Sequence, residues 1–194
     1  MAGQDFSVSS FLGGFKQGGA LQSLFQASIT AAPSGLNFPS ETKFMIKTSS
    51  FPESTITANE IAFMGRTINI PGNRESQQWT TELYNDEDHK IRGQLLKWLD
   101  NINTHAENTR KAGWISLASY TGTLYVEQHT KEAKRPTNTA HFYNAWPSSV
   151  GEISLDWETN ELQTYEVTWE FSYWTQTGTG GNVGSTGGGP AGGP

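Results

Sequence analysis

The chain has 194 residues, enough for one domain with a sizeable core. Its 13 Lys and Arg against 19 Asp and Glu give a net charge of −6, which argues against a protein built to grip phosphates, because nucleic-acid affinity comes mainly from cationic side chains releasing counterions. With no cysteine, disulfides, thiol nucleophiles and Cys-ligated metals are excluded.

No run approaches the roughly 18 apolar residues that cross a bilayer. The first 20 residues lack the basic start and continuous apolar block of a secretory signal. The expectation is a soluble protein without a membrane anchor that stays in the compartment where it is made. Aromatics make up 12% of the chain, with seven Trp, a content that fits strands and contact surfaces.

In chain order, residues 1–20 form an N-terminal extension in which Gly13-Gly14 and Gly18-Gly19 break regular structure. Phe6, Phe11, Leu12 and Phe15 are too apolar for a pure linker, so this extension is expected to dock on something. Residues 21–176 form the main domain and are strand-dominated. Phe25, Ala27 and Ile29 alternate with Gln26, Ser28 and Thr30, the period-two pattern of a half-buried strand, and Phe44 and Ile46 repeat it. Ile68 and Ile70 run into a turn cluster at Pro71-Gly72-Asn73, and Trp79, Thr81 and Leu83 share one face of the next strand.

One helix is expected. Asn85 or Asp86 can cap it, and Glu87 and Asp88 occupy the first turn, where the helix dipole favours negative charge. Ile91, Leu95, Trp98, Leu99 and Ile102 recur at helical spacing, so residues 86–102 span about 25 Å. Gly93 lies opposite that stripe, either as a tolerated exposed glycine or as a point of close approach by another subunit.

Strand pattern then resumes. Ile115, Leu117 and Ser119 lead to Thr121-Gly122, and Leu124 and Val126 continue the alternation. Tyr165, Val167, Trp169, Phe171 and Tyr173 share one face with Glu166, Thr168, Glu170 and Ser172 opposite, so this strand has one wet face and one dry face. Residues 177–194 are an uncharged Gly-rich tail, too poor in apolar surface to offset its own ordering entropy.

Catalytic signals are missing. His89, His105, His129 and His141 do not fall at the spacings common in metal sites, and no nucleophile-elbow pattern occurs. Asp86, Glu87 and Asp88 are explained by a helix start. Glu152 and Asp156 alternate with Ile153 and Leu155, and Glu166 and Glu170 face away from the aromatic stripe. Two readings stand for these four acids: an ordinary solvated face, or an acidic lining repeated around a ring. The many Trp also allow a carbohydrate-binding β-sandwich that stacks sugars on Trp79, Trp114 or Trp146, although Trp98, Trp157 and Trp169 fall on faces that the core needs.

Several motifs recur in order. They are Lys47-Thr48-Ser49-Ser50-Phe51-Pro52, then Phe63-Met64-Gly65-Arg66-Thr67-Ile68-Asn69-Ile70, Gly72-Asn73-Arg74, Trp79-Thr80 and Asn85-Asp86-Glu87-Asp88-His89. Trp146-Pro147-Ser148-Ser149-Val150-Gly151-Glu152 continues to Leu155-Asp156-Trp157, and residues 163–168 close the series. In this order, over residues 23–174, the chain resembles the tail tube proteins of contractile-tailed, T-even-type phages. Residues 1–20, the glycine tail and residues 101–139 depart from that pattern, and the last of these is read as a sheath-facing stretch.

The resemblance implies a mainly β fold with one flanking α-helix, a β-sandwich or barrel tube-protein fold in which inner strands of six subunits form a continuous barrel. It implies a structural virion protein of the tail, assembled in the host cytoplasm, with no enzymatic activity and no cofactor or metal. Homohexameric rings would stack into an inner tube, held within a tail sheath protein and bounded by baseplate and tail terminator proteins. The lumen would carry a tape measure protein and then genomic DNA during ejection. Glu152, Asp156, Glu166 and Glu170 are the candidates for an acidic lumen wall. Thr48, Phe51, Pro52, Phe63, Met64, Arg66 and Pro71 are the candidates for inter-ring and inter-subunit contact. The inner tube of a non-phage contractile injection system, type VI secretion-like or tailocin, is the alternative within the same architecture.

Overall fold

Alternation on two strands fixes the centre of the molecule. Trp79, Thr81 and Leu83 of one strand and Tyr165, Val167 and Trp169 of its antiparallel neighbour are all buried, and the pair runs in register from Trp79↔Trp169 to Tyr84↔Thr164. A computed structural model of the chain describes residues 8–14, 19–75, 77–179, 181 and 183. In order the elements are α1 (Val8–Gly14), β1 (Phe25–Ala31), α2 (Thr42–Met45), β2 (Ile46–Thr48), β3 (Thr55–Phe63), β4 (Arg66–Glu75), β5 (Trp79–Tyr84) and α3 (Lys90–Ile102). Then follow α4 (Leu117–Tyr120), β6 (Gly122–His129), β7 (Pro136–Val150), β8 (Thr164–Glu170) and β9 (Tyr173–Gly178).

Seven strands form one sheet in the order β1-β6-β7-β8-β5-β2, with β9 also paired to β7, and β3 and β4 form a separate two-stranded sheet. The 15-residue β7 joins the two halves of the larger sheet. Its first part pairs with β6 and β9, and from Trp146 onward it pairs with β8. At the handover Asn144 takes a left-handed backbone (φ 53), a conformation that Asn tolerates better than most residues, and the strand turns there. The curled sheet closes over Trp79, which stacks on Phe142 at 4.4 Å, and over Trp169.

Helix α3 supplies the rest of the core. Ile91, Leu95 and Trp98 point inward as the helical spacing predicts, and Trp98 meets Trp169 edge-on at 5.9 Å while its indole N–H donates to the Tyr120 carbonyl at 2.7 Å. The helix starts at Lys90, not Asp86. His89 is in the left-handed region (φ 53), which halts helical propagation, and residues 85–89 form a turn in which the Asp86 carboxylate accepts from the Lys90 N–H at 3.0 Å.

Other expectations change for local reasons. Phe44 sits in α2 and is exposed, so the strand pattern there reduces to β2. Ile115 and Leu117 belong to no strand; Leu117 opens α4, and both are exposed. Pro71-Gly72-Asn73 is not a turn but lies inside β4, where Gly72 and Asn73 form a bulge opposite the single Thr57 of β3. Gly72 is needed there, because a Cβ would meet the Thr57 carbonyl at 3.0 Å. The reversal lies instead at Met64-Gly65, whose positive φ values (47° and 76°) make the primed turn that suits a two-residue hairpin.

The aromatic stripe of the last strand is interrupted. β8 ends at Glu170, the Ser172 N–H donates to Tyr143, and Tyr173 emerges on the outer side of β9, where it stacks on Tyr143 at 4.8 Å. After this switch Trp174, not Tyr173, packs against the core. Trp157 is the other reversal: it is fully exposed, not in the core. Most of the extension and the glycine tail lie outside the described residues, Phe6 and Phe15 included. Of the extension, α1 leaves Val8, Phe11 and Leu12 exposed, and of the tail, Val183 returns to exchange backbone hydrogen bonds with Gln176.

Candidate assembly surface

Four short strand segments, β2, β5, β8 and the end of β7, form one half of the curled sheet. Because the dry side carries Trp79, Leu83, Val167 and Trp169, strand alternation forces Thr80, Glu82, Thr164, Glu166, Thr168 and Glu170 onto the wet side. Glu166 stands directly opposite Glu82, a like-charge pairing that costs stability unless it is compensated. Lys47 of β2 compensates it, with its ammonium 2.8 Å from Glu82 Oε1. That hydrogen bond holds the Glu82 carboxyl below its ordinary range and raises the Lys47 ammonium above its own. Glu170 accepts from the Gln78 amide.

The four acids singled out from the sequence therefore divide. Glu166 and Glu170 share the wet face, while Glu152 and Asp156 lie in residues 151–163, which form no strand. Glu82 belongs with the first pair and was legible in the Thr80/Glu82 alternation.

Residues 151–163 leave the sheet at the end marked by Tyr84 and Thr164. Both ends of this loop are pinned: the Arg92 guanidinium donates to the Gly151 carbonyl at 3.0 Å, the Gly151 N–H donates to Glu166 at 2.7 Å, and Asn85 bonds Gln163 through backbone and side chain. Below it Tyr165 is buried with its ring 5.8 Å from the Arg92 guanidinium carbon. Burial, reinforced by the nearby Asp86 carboxylate, pushes the Tyr165 phenol far above its usual range.

The β3–β4 hairpin leaves the opposite end of the same sheet. β2 enters it past Thr48, and β5 receives it at Trp79, which pairs with Trp169. Its nine-residue first strand spans about 30 Å. Ile56, Ile61, Phe63, Met64, Ile68 and Ile70 are all exposed, as are Arg66 and Pro71. Of the remaining contact candidates, Thr48 is exposed at the sheet edge, whereas Phe51 packs against the core and Pro52 is half-buried. Phe51 thus anchors the base of the hairpin, with the neighbouring Ser50 carbonyl accepting from the Trp79 indole at 2.8 Å.

Sugar stacking loses its main supports, since Trp79 and Trp114 are 3% and 5% exposed. Among the described residues no cluster of three or more His, Asp or Glu is placed to hold a metal ion, and no helix is long and apolar enough to cross a membrane.

Comparison with known proteins identifies the family. A family model described as phage tail tube protein matches residues 15–177. The chain is 34% identical over 156 residues to tail tube protein gp19 of Enterobacteria phage T4, covering 80% of this chain and 90% of that one, and gp19 of Enterobacteria phage T6 gives the same figures. Its fold resembles a chain in the extended sheath-tube complex of an extracellular contractile injection system (TM-score 0.60, 15% identity, 89% of this chain and 99% of that one). It also resembles a chain in the six-fold symmetrised baseplate of the anti-feeding prophage (TM-score 0.62, 12% identity, 82% and 96% covered). At such identities the structural likeness establishes the fold, and the gp19 relationship places the sequence among phage proteins. The chain belongs to the phage tail tube protein family.

Proposed function

We propose that six copies of this chain close into a ring, that rings stack head-to-tail into the inner tube of a contractile phage tail, and that the protein acts structurally, without catalysis. The observation that carries this reading is the β3–β4 hairpin. A two-stranded hairpin is marginal by itself in water, and this one exposes a row of Ile, Phe and Met side chains that nothing among the described residues covers. A second copy supplies the missing cover.

Ring closure has a matching logic. β2 and residues 146–150 of β7 are the outer members of the four-segment half-sheet, each with one side unpaired among the described residues. Pairing such edges between neighbours around an axis turns six half-sheets into one barrel and removes both edges of each half-sheet. The wet face then lines the lumen, with Glu82, Glu166 and Glu170 on the wall and Glu152 and Asp156 near its rim. Duplex DNA carries about one negative charge per 1.7 Å, and near physiological salt the Debye length is roughly 8 Å. An acidic wall repels the duplex only at close approach, so DNA passes without adhering. The tape measure protein precedes DNA in the lumen, and a sheath encloses the tube between baseplate and tail terminator.

Electron microscopy of the purified chain, mixed with the baseplate of its own particle, tests the reading. Hollow tubes of uniform width are expected. A chain that remains monomeric on that platform overturns it.

A further inference from the structure

We propose that the loop of residues 151–163 is the socket into which the tip of the β3–β4 hairpin docks from a copy in the adjacent ring. The proposal deepens the stacked-ring reading and rests on it. Three independent observations converge on this pairing.

The first is position. The hairpin leaves the sheet at the Trp79/Trp169 end and the loop leaves it at the Tyr84/Thr164 end, so the two project from opposite ends of one strand direction. Head-to-tail stacking along that direction brings the hairpin end of one copy against the loop end of the next. Within a single copy the two cannot meet.

The second is apolar surface without cover on both partners. At the tip, Phe63 and Met64 are 64% and 88% exposed, and on the loop Leu155, Leu162 and Trp157 are 79%, 78% and 104% exposed. Trp157 is presented deliberately: the Glu158 N–H donates to the Asp156 carboxylate at 2.9 Å, closing a turn with Trp157 at its apex. With both loop ends pinned by Arg92 and Asn85, this presentation is pre-organised, which lowers the ordering cost of docking. Trp is among the residues enriched at binding hot spots, which cluster in desolvated contacts.

The third is charge. Arg66 is the only charged side chain in residues 61–68, whereas residues 151–163 carry Glu152, Asp156, Glu158 and Glu161 with no cation. A cationic, apolar tip thus faces an acidic, apolar socket, while two hairpin tips or two sockets would not attract one another. This polarity specifies head-to-tail stacking and opposes head-to-head. In a ring of six the contact is made six times at once, so modest single contacts sum into a stable stack.

Two variants test the proposal on the full chain assembled with its own baseplate. Leu155→Ser with Trp157→Ser removes the apolar socket without touching the core, so the melting temperature stays within a few °C of the original. Tubes should shorten at least about tenfold in length. In the second variant Met64→Cys and Leu155→Cys supply the only thiols, since the natural chain has none. A short bis-maleimide should then join copies into covalent ladders in assembled tubes and not in unassembled protein. Socket-less tubes of unaltered length, or tubes of the cysteine variant that yield no ladder, overturn the proposal while leaving the tube reading intact. If the unaltered chain forms no tubes at all, the tube reading itself fails.

Discussion

Lys47 on the edge strand β2 reaches across to Glu82 on β5 at 2.8 Å, on a face where Glu82 already stands opposite Glu166. One ammonium thus lets two like charges share a rung, and it ties a three-residue edge strand to the sheet. Both groups are well solvated, so the effect on stability is modest and salt-sensitive. Its pH signature is specific. Glu82 has a lowered folded pKa, so its contribution is present above the unfolded carboxylate value near 4.3 and is lost as pH falls through the lower folded value. Lys47→Met should shift the Glu82 titration upward and remove that part of the acid-side slope, as read by NMR titration and melting temperature against pH.

Tyr165 gives the opposite signature at alkaline pH. Its folded pKa is raised by burial, so the stability it contributes is complete below the unfolded value near 10 and declines as pH climbs above that value. Ultraviolet titration should show one of the six tyrosines resisting ionisation until the chain unfolds. Its hydroxyl has no hydrogen-bond partner among the described residues, so Tyr165→Phe should be neutral or stabilising by up to about 1 kcal/mol and should flatten the alkaline decline.

Two glycines separate packing from assembly. A Cβ at Gly122 would lie 2.4 Å from the Ala31 carbonyl and 2.9 Å from the Trp98 ring, so Gly122→Ala should cost at least about 1–3 kcal/mol in thermal or denaturant unfolding. At Gly93 a Cβ meets nothing, and Gly93→Ala should stabilise the exposed helix by about 0.5–1 kcal/mol. If a neighbouring copy approaches closely at Gly93, the same variant will melt higher yet assemble worse.

The dry faces of β5, β6 and β8 and the inward stripe of α3 were readable in the sequence, because burial on one side imposes a period of two or of 3.6. Where that constraint lapses, the reading failed. Ile68 and Ile70 alternate like core residues but lie on a hairpin with no core of its own, and periodicity cannot report whose core an apolar residue serves. The same ambiguity put Trp157 inside. Pro71-Gly72 read as a turn because composition alone does not distinguish a turn from a bulge, and the true reversal at Met64-Gly65 depends on a left-handed methionine. The Phe171-Ser172 switch escaped notice because the alternation continues through it on paper while the strand changes partners.

Reversing the wall charge tests the conduction argument separately. Glu166→Lys with Glu170→Lys on the wet face should leave tube formation largely intact and slow genome ejection, measured by real-time DNA release, with the delay shrinking as salt rises. Unchanged release at low salt would show that these carboxylates do not face the DNA path.

The most direct measurement is a cryo-electron-microscopy reconstruction of the assembled tail. The account predicts six copies per ring, β2 of each copy hydrogen-bonded to residues 146–150 of its neighbour, and Glu166 and Glu170 directed at the axis. A tube whose wall presents the β1–β6 side to the lumen, or whose copies meet without joining those two edges, would contradict it.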